Sequence, residues 1–548
     1  MGKYCIAGLR ETYVSPAQVE AAVDTIIQGV CMICPLVLVD VETGRLCDVP
    51  ERIRIFKLEP PFKALVSSMT RELDHARILR VVAKYFQYVM LSHVWQGSEP
   101  SFQDVSSVES VQNLDSSPLN DKLRKFSEVV RQEGYRWAWS DTCCIDKTSV
   151  TGWGHSLTLM YKWYEESAAT FVYLVGVSSP SFLGDLTRSI WMTRVWTLLE
   201  LLAPKVIRFY DCEWKPYLND TRENHKASPE IIQELASAIQ VSPETITAFR
   251  PDDLRVRDKL RLASTRNATV EEDVAYSLIG IFKSDIQPHY GEGDVALAHL
   301  LEEIVTRSGE VTVLSWTGRS SRYNSCLPAT LAVYSQAPYA SPPIDDGEME
   351  TQVAALKSTL PEAQAMLLYD RITRLPPVRF ANCCLHLPCI VFAVKKLVAH
   401  DSGSGGEIQY RARVSAIGNV TFQTSETLPL EEPRKFVFVH PWISDLCDRV
   451  EDVAWIESPD SEASDNEVYL RASHTFFLDE VPSAPMDDYT RALRLIVRLR
   501  RPFNALLLQQ QPGGGYKRVA AEHEIVVQGL ERQIVSARDI RAEVVEIL

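Results

Sequence analysis

The sequence predicts an α/β protein whose central parallel sheet is covered by helices on both faces, followed by a separate β-rich region. Between Tyr88 and Tyr210, short apolar segments alternate with amphipathic helical patterns. Strands that are apolar on both faces are typical of buried parallel sheets. Short alternating segments dominate after Trp316. We therefore expect three parts: a lead-in region over 1–85, an α/β domain with a helical extension over 86–317, and a β-rich domain over 318–548.

The predicted elements of the α/β part follow one another regularly. The strands are short apolar runs, namely Pro35–Val41 in the lead-in region and then Tyr88–Leu91, Trp137–Ser140, Phe171–Val177 and Val206–Tyr210. Between them lie three helices: one that ends at Gly134, one over residues 157–168, and one over Trp191–Leu202 that Pro204 stops. Glycine directly after the last periodic residue is a common C-terminal stop. Residues 215–317 are largely helical in pattern.

The β-rich region is predicted from short alternating runs separated by polar, glycine-containing loops. These runs are Ile408–Val414, Val420–Gln423, Phe436–Val439 and Glu467–Arg471. No repeat of fixed period occurs, so we expect neither a solenoid nor a propeller.

Charge and cysteine content exclude several classes of protein. The chain has 57 Lys and Arg against 72 Asp and Glu, a net charge of −15 that repels nucleic acids and anionic lipid surfaces. The densest basic stretch, 491–501, alternates with apolar residues, as in an element with one wet face. We expect no nucleic-acid and no membrane partner. Twelve cysteines without a dense framework, and no apolar signal after Met1, predict a soluble cytoplasmic protein.

Most motifs with a standard mechanism are absent: there is no phosphate loop, zinc-protease helix or nucleophile elbow. Gly291-Glu-Gly293 resembles a dinucleotide fingerprint, but it follows a poor strand, so a glycine-rich turn before a helix is favoured. Cys31-x2-Cys34 fits a redox pair, half of a zinc site or two buried thiols. The last is favoured because no partner pair has metal spacing. For Cys143–Cys144, packing is favoured over a nucleophile. We expect neither metal nor cofactor.

Polar residues cluster where the predicted strands end. Ser92, His93 and Trp95 follow one strand, and Asp141 follows the next. In parallel sheets the ligand crevice lies outside the carboxyl ends of the strands. We therefore expect these residues and Arg194 to line one cleft. Asp141 is also consistent with a turn cap, and His93 with a hydrogen-bonded core residue.

The helix over Thr193–Leu202 adds a carboxylate to this cleft. Trp196 and Glu200 are four residues apart, so they share a face away from the apolar stripe. A carboxylate in this setting is either a solvated helix charge or an active group whose burial raises its pKa.

At these positions the sequence resembles the fungal heterokaryon-incompatibility (HET) domain in its basidiomycete form. The resemblance rests on five ordered blocks: Tyr88–Trp95, Gly134–Lys147, Met160–Tyr164, Trp191–Pro204, and Glu271–Tyr276 together with Tyr290–Gly293. Members of this family are associated with non-self recognition and programmed cell death after incompatible hyphae fuse. The resemblance implies a role in such signalling.

The HET domain is in turn distantly similar to the TIR domain, some members of which cleave NAD. This similarity implies a TIR-like, flavodoxin-like three-layer fold, with NAD as substrate rather than cofactor. It makes Glu200 the catalytic residue, and the surrounding substrate-binding residues are Ser92, His93, Trp95, Asp141, Arg194 and Trp196. The family usually has Gly and Gln where this chain has Val195 and Leu199.

Three functions stay open at this point. The protein is an NAD glycohydrolase, a non-catalytic module that associates with itself or with a protein partner, or a small-molecule enzyme that reuses the HET fold. A fold alone does not separate them, because one fold hosts many functions.

Overall fold

Strands of the first 210 residues form one six-stranded sheet in the computed structural model, which describes residues 13–400, 407–441, 486–530 and 541–548. The strands are β1 (Val37–Asp40), β2 (Arg45–Asp48), β3 (Tyr88–His93), β4 (Trp137–Trp139), β5 (Ala169–Tyr173) and β6 (Ile207–Tyr210). Their order across the sheet is β2-β1-β4-β3-β5-β6.

The predicted parallel core of this sheet is confirmed. Strand β3 pairs in parallel with both β4 and β5, and β5 pairs in parallel with β6. Strand β1 is antiparallel to β2 and to β4, so residues of the lead-in region extend the sheet with an antiparallel edge. Every residue of β3 is buried, as expected for a central strand.

The strand order creates a switch point beside β3. The chain passes from β3 to β4 on one side of it and then crosses back to β5 on the other side. Connections that leave in opposite directions open a crevice at the carboxyl ends of such strands. Ser92 and His93, the last two residues of β3, stand at that crevice.

Helices accompany the sheet and extend beyond it. They are α1 (Pro16–Cys31), α2 (Val49–Leu58), α3 (Pro60–Ser68), α4 (His75–Tyr85), α5 (Phe102–Ser106), α6 (Pro118–Gln132), α7 (Val150–Glu166), α8 (Asp185–Arg188), α9 (Trp196–Leu202), α10 (Pro229–Ile239), α11 (Pro243–Thr247), α12 (Val256–Ser264), α13 (Asp273–Tyr276), α14 (Ile279–Phe282) and α15 (Val295–Ser308). Helix α6 ends just before Gly134, whose φ of 82° fits the predicted stop. The predicted helical character of residues 215–317 is also confirmed.

The chain divides into two compact units, one over 1–304 with 330–336 and the other over 305–329 with 337–548. The described strands of the second unit form a nine-stranded sheet. They are β7 (Arg379–Ala381), β8 (Cys384–His400), β9 (Ile408–Val414), β10 (Gly418–Thr424), β11 (Phe436–Pro441), β12 (Phe503–Gln510), β13 (Tyr516–Arg518), β14 (Ile525–Val527) and β15 (Arg541–Ile547). Three of the four predicted runs are thus strands, and the fourth, Glu467–Arg471, lies outside the described residues.

The second unit also contains helices α16 (Asp346–Thr359), α17 (Glu362–Thr373) and α18 (Asp488–Leu499). The basic stretch forms much of α18, whose apolar residues are buried while Arg491 is half-buried and paired with Asp488. The element thus has an apolar face and a basic face, but its arginines are partly buried rather than fully solvated. None of the helices within the described ranges has the length and apolar character needed to cross a bilayer.

Candidate functional site

Ser92 and Glu200, which are 108 positions apart, are in hydrogen-bond contact at the carboxyl end of β3. Ser92 Oγ donates to Glu200 Oε2 and accepts a 2.7 Å bond from Trp191 Nε1. An indole nitrogen can only donate, so the Ser92 proton is directed at the carboxylate. All three residues are buried, and Glu200 is only 8% exposed. The structure thus brings the predicted carboxylate to the predicted strand end.

An interruption of the predicted helix sets the position of Glu200. Arg194 adopts an extended conformation and forms a parallel bridge with Asn267. The Asn267 amide donates to Thr193 O over 2.6 Å, and its carbonyl accepts from Val195 N over 3.1 Å. The predicted continuous helix over Trp191–Leu202 is therefore wrong, because this distant contact divides it into a 3-10 turn and α9.

Helix α9 does not have a solvated face. Every residue from Thr197 to Leu202 is buried, Glu200 included. The interpretation of Glu200 as a solvated helix charge is therefore wrong, and its carboxylate faces the protein interior.

Burial raises the pKa of Glu200 to about 8. The Ser92 hydrogen bond and the buried Arg266 oppose this rise, whereas the negative charge of Asp141 adds to it. The Asp141 charge therefore lies close enough to act on Glu200. Glu200 titrates close to neutral pH, the range in which acid and base groups of enzymes work.

Asp141 holds an exposed aromatic side chain just beyond the end of β3. Trp95 Nε1 donates to Asp141 Oδ2 over 2.7 Å, and the Trp95 side chain is 52% exposed. The exposed Lys147 places its Nζ 3.7 Å from the centre of the Trp95 ring, a cation–π contact. Sequence reasoning missed Lys147, although it ends the block Gly134–Lys147.

His93 belongs to a buried ion-pair network behind Trp95. Its Nε2 lies 2.9 Å from Glu99 Oε2 and 3.9 Å from Asp141 Oδ1, and its side chain is 1% exposed. Lys122 is bonded to the other oxygen of Glu99. Burial opposes ionisation of Glu99, but His93 and Lys122 lower its pKa to about 2. Glu99 and Lys122 carried no sequence signal, because neither belongs to a recognisable motif.

Arg194 and Trp196 face another segment of the chain. Arg194 Nη1 donates to Thr269 Oγ1 over 2.8 Å, and Trp196 is hydrogen-bonded to Asp273. Asp273 also accepts a 2.7 Å bond from the Tyr290 hydroxyl. The structure therefore brings Ser92 into contact with Glu200 and Trp95 into contact with Asp141, and it ties Arg194 and Trp196 to residues 269–290.

Arg266 is a buried cation that no sequence signal identified. Its Nη1 donates to Thr197 Oγ1 over 2.8 Å and to Arg194 O over 2.9 Å. Its Nη2 is buried and has no hydrogen-bond partner among the described residues. Burial lowers the pKa of Arg266 to about 10, and the Glu200 charge opposes this. Arg266 thus stays charged at neutral pH beside the start of α9.

The other sequence candidates have structural roles. Gly291 and Gly293 lie in a turn before α15, and their amides donate to Glu272 Oε1 over 2.7 and 3.0 Å. Cys143 is buried, and its contact with Cys144 together with burial raises its pKa, which opposes a nucleophilic role. Across the part of the chain that the structure describes, no group of three or more His, Cys, Asp or Glu residues is arranged to hold a metal ion.

The region around β3 is similar to known proteins. Residues 88–184 match the family model described as Heterokaryon incompatibility protein (HET), a range that includes Ser92 and Asp141 and ends before Glu200. Vegetative incompatibility protein HET-E-1 of Podospora anserina is 33% identical over 228 residues. That match covers 40% of this chain but only 16% of the relative's length. No solved structure matches the chain.

Proposed function

We propose that the protein acts in fungal non-self recognition, because residues 88–184 match the HET family model. We further propose that the site around Glu200 cleaves the nicotinamide–ribose bond of NAD. One observation carries the catalytic part: Glu200 is buried against Ser92 at the switch point of the sheet. The four parallel strands lie in the order β4-β3-β5-β6 across the sheet. Numbered by their position in the chain, this order is 2-1-3-4, which is that of flavodoxin-like folds. This order supports a TIR-like three-layer fold and a ligand at this crevice.

The reaction needs one stabilising carboxylate. When the bond from ribose C1′ to nicotinamide breaks, its electron pair leaves with nicotinamide as a neutral molecule, and the ribose becomes oxocarbenium-like. Water adds at C1′ and gives up a proton. A carboxylate near the ribose stabilises the positive charge that develops, as in glycoside hydrolysis. Glu200 supplies that group, and Ser92 and Trp191 fix its orientation.

Because the pKa of Glu200 is raised, its ionisation depends on whether NAD is bound. In the free protein, burial keeps much of this carboxyl group protonated at neutral pH. The nicotinamide ring of NAD is a cation, and a nearby opposite charge lowers the pKa of a carboxyl group. Bound NAD therefore promotes the ionised form that the reaction uses.

The exposed residues beside the site suit the base and phosphate groups of NAD. The half-exposed Trp95 ring offers a surface for stacking a base, and Lys147 beside it offers a charge for a phosphate. Asp141 holds Trp95 in this position.

Incubation of the purified protein with NAD, followed by chromatography of released nicotinamide, tests the proposal. We expect release by the wild type and a loss of about 100–1000-fold in Glu200→Gln. Glu165→Gln is the matched control, because Glu165 is a half-exposed carboxylate of α7 paired with Lys162. If Glu200→Gln releases nicotinamide as fast as the wild type, the catalytic assignment is wrong.

A second candidate function, self-association without chemistry, is favoured by exposed apolar residues. Phe182, Leu183 and Ile190 are between 54% and 63% exposed on the chain that follows β5. Sedimentation of the wild type and of a Phe182→Ser, Leu183→Ser variant tests it. If no nicotinamide is released while the wild type associates and the variant does not, this candidate replaces the catalytic one.

A further inference from the structure

Arg52 is a fully buried cation among the N-terminal helices. Its exposed fraction is 0%. Its Nη2 donates to Pro35 O over 2.6 Å and its Nε to Asp48 O over 3.4 Å. Its buried Nη1 has no hydrogen-bond partner among the described residues. The guanidinium is therefore tied to two carbonyls and is incompletely satisfied.

Burial lowers the pKa of Arg52, and the neighbouring groups that oppose this lowering are thiols. The contributing residues are Cys34, Cys31, Cys47 and Cys144. A buried cation is costly unless a negative group compensates it. A thiol supplies such a charge only as a thiolate, which is also the reactive form of cysteine.

Cys31 and Cys34 are placed to share one proton beside Arg52. Cys31 ends α1, and Cys34 N donates to Cys31 O over 3.3 Å, which closes a turn between them. The Cys34 sulfur lies 3.1 Å from Val30 O and in contact with the Cys31 sulfur, so its proton can go to either. The hydrogen bond from Cys34 lowers the pKa of Cys31 against burial, and Arg52 lowers it further. Cys31 therefore favours the thiolate and Cys34 the thiol.

Access to the pair is narrow. Both cysteines are 7% exposed, whereas Met32 between them is 78% exposed, so the turn lies at the surface. This geometry admits a small oxidant more readily than a bulky one.

We propose that Cys31 and Cys34 are an oxidation site that forms a reversible disulfide with hydrogen peroxide, and that Arg52 positions and stabilises the Cys31 thiolate. The thiolate attacks one peroxide oxygen and the O–O bond breaks. This gives a sulfenic acid on Cys31 and, after protonation, water. The Cys34 sulfur then attacks the Cys31 sulfur, the S–OH bond breaks, and a second water leaves. Two thiols are oxidised and one peroxide is reduced.

The other thiols near Arg52 are less suited to this chemistry. Burial and the neighbouring Asp40 raise the pKa of Cys47 to about 11. The adjacent pair Cys143–Cys144 is also buried, and Cys144 and burial raise the pKa of Cys143. Selective oxidation of Cys31 and Cys34 therefore distinguishes this site from a general response of buried thiols.

The test treats the full chain with hydrogen peroxide, alkylates the remaining thiols and analyses peptides by mass spectrometry. We expect a Cys31–Cys34 disulfide before any other pair, and its reversal by dithiothreitol. In Cys34→Ser the sulfenic acid cannot be resolved, so dimedone added together with urea, which opens the narrow access, should label Cys31. Arg52→Met should slow disulfide formation on the order of tenfold at pH 7 through the lost thiolate. Cys47→Ser is the matched control and should leave the rate unchanged.

Two results would overturn the proposal. One is oxidation of Cys143 and Cys144 at or before the rate of Cys31 and Cys34. The other is an absence of dimedone label on Cys31 in Cys34→Ser. The second measurement leaves Arg52 intact, so it decides the question even where Arg52→Met fails to fold.

Discussion

Ser92 donates its hydroxyl proton to the carboxylate of Glu200, and this one contact joins the end of β3 to helix α9. Trp191 donates in turn to Ser92. The three side chains form a buried chain of hydrogen bonds with Ser92 at its centre. Removal of the Ser92 hydroxyl would therefore break both hydrogen bonds at once.

Ser92→Ala should therefore destabilise the protein by about 1–3 kcal/mol, because it leaves the Trp191 indole and the Glu200 carboxylate without their shared partner. Urea unfolding measures the loss. The control is Ser127→Ala on α6, where a buried hydroxyl donates to Leu123 O of its own helix. Equal losses in the two variants would contradict a special role for the Ser92 contact.

The rate of NAD cleavage should rise with pH. The proposed reaction uses ionised Glu200, whose pKa burial raises to about 8. We expect kcat/KM to increase up to about pH 8 and then level off, since kcat/KM reports the free enzyme. The profile of kcat should be displaced to lower pH, because the bound cationic ring favours the ionised carboxylate. A kcat/KM that is flat between pH 6 and about 9 would contradict the assignment.

Glu200 should also make stability fall as pH rises. Its folded pKa of about 8 lies above the ordinary value of 4.5, so the folded state holds the proton more tightly. The stabilisation is complete below pH 4.5 and is lost as pH rises through about 8. Unfolding by urea at both ends of this range should show that Glu200→Gln gains stability relative to wild type at the higher pH. The same comparison with Glu165→Gln should show no such gain.

The network around Glu99 should behave in the opposite way. Its pKa of about 2 lies below 4.5, so its stabilisation is present above pH 4.5 and lost as pH falls towards 2. Lys122→Met breaks a buried pair and should cost about 3–5 kcal/mol at pH 7. The cost should shrink in acid, where Glu99 becomes protonated. Lys125→Met changes an exposed lysine of the same helix and should have little effect at either pH.

Trp95→Ala should weaken substrate binding more than chemistry. Stacking of a base on an aromatic ring contributes about 1–3 kcal/mol, so KM for NAD should rise by roughly one to two orders of magnitude. Trp95→Phe keeps a ring but removes the bond to Asp141, and it should recover part of the loss. A fall in kcat alone would contradict the stacking role.

Local sequence patterns predicted the parallel strands well because the apolar composition of each strand is visible in its own residues. Residues of β3 and most of β5 are apolar on both faces, and buried central strands have this composition. The polar residues after them were placed at the crevice because parallel strands end at one edge. No tertiary knowledge was needed for Ser92 or Asp141.

Features that depend on distant contacts were missed. The predicted helix over Trp191–Leu202 is broken because Arg194 pairs with Asn267, far along the chain. Arg266 and Lys147 acquire their roles from the same kind of contact. Helical periodicity placed Glu200 on a separate face, but it could not show that α9 is buried all round.

The bridge between Arg194 and Asn267 also bears on how this domain can be moved between proteins. A transplanted segment limited to 88–184 would omit both Glu200 and the strand pairing that ends the 3-10 turn before α9. If the proposed activity holds, the smallest segment that keeps these contacts must run at least to Asn267, with Arg266 included. Recombination between residue 184 and Asn267 would therefore separate Ser92 and Asp141 from Glu200 and Arg266.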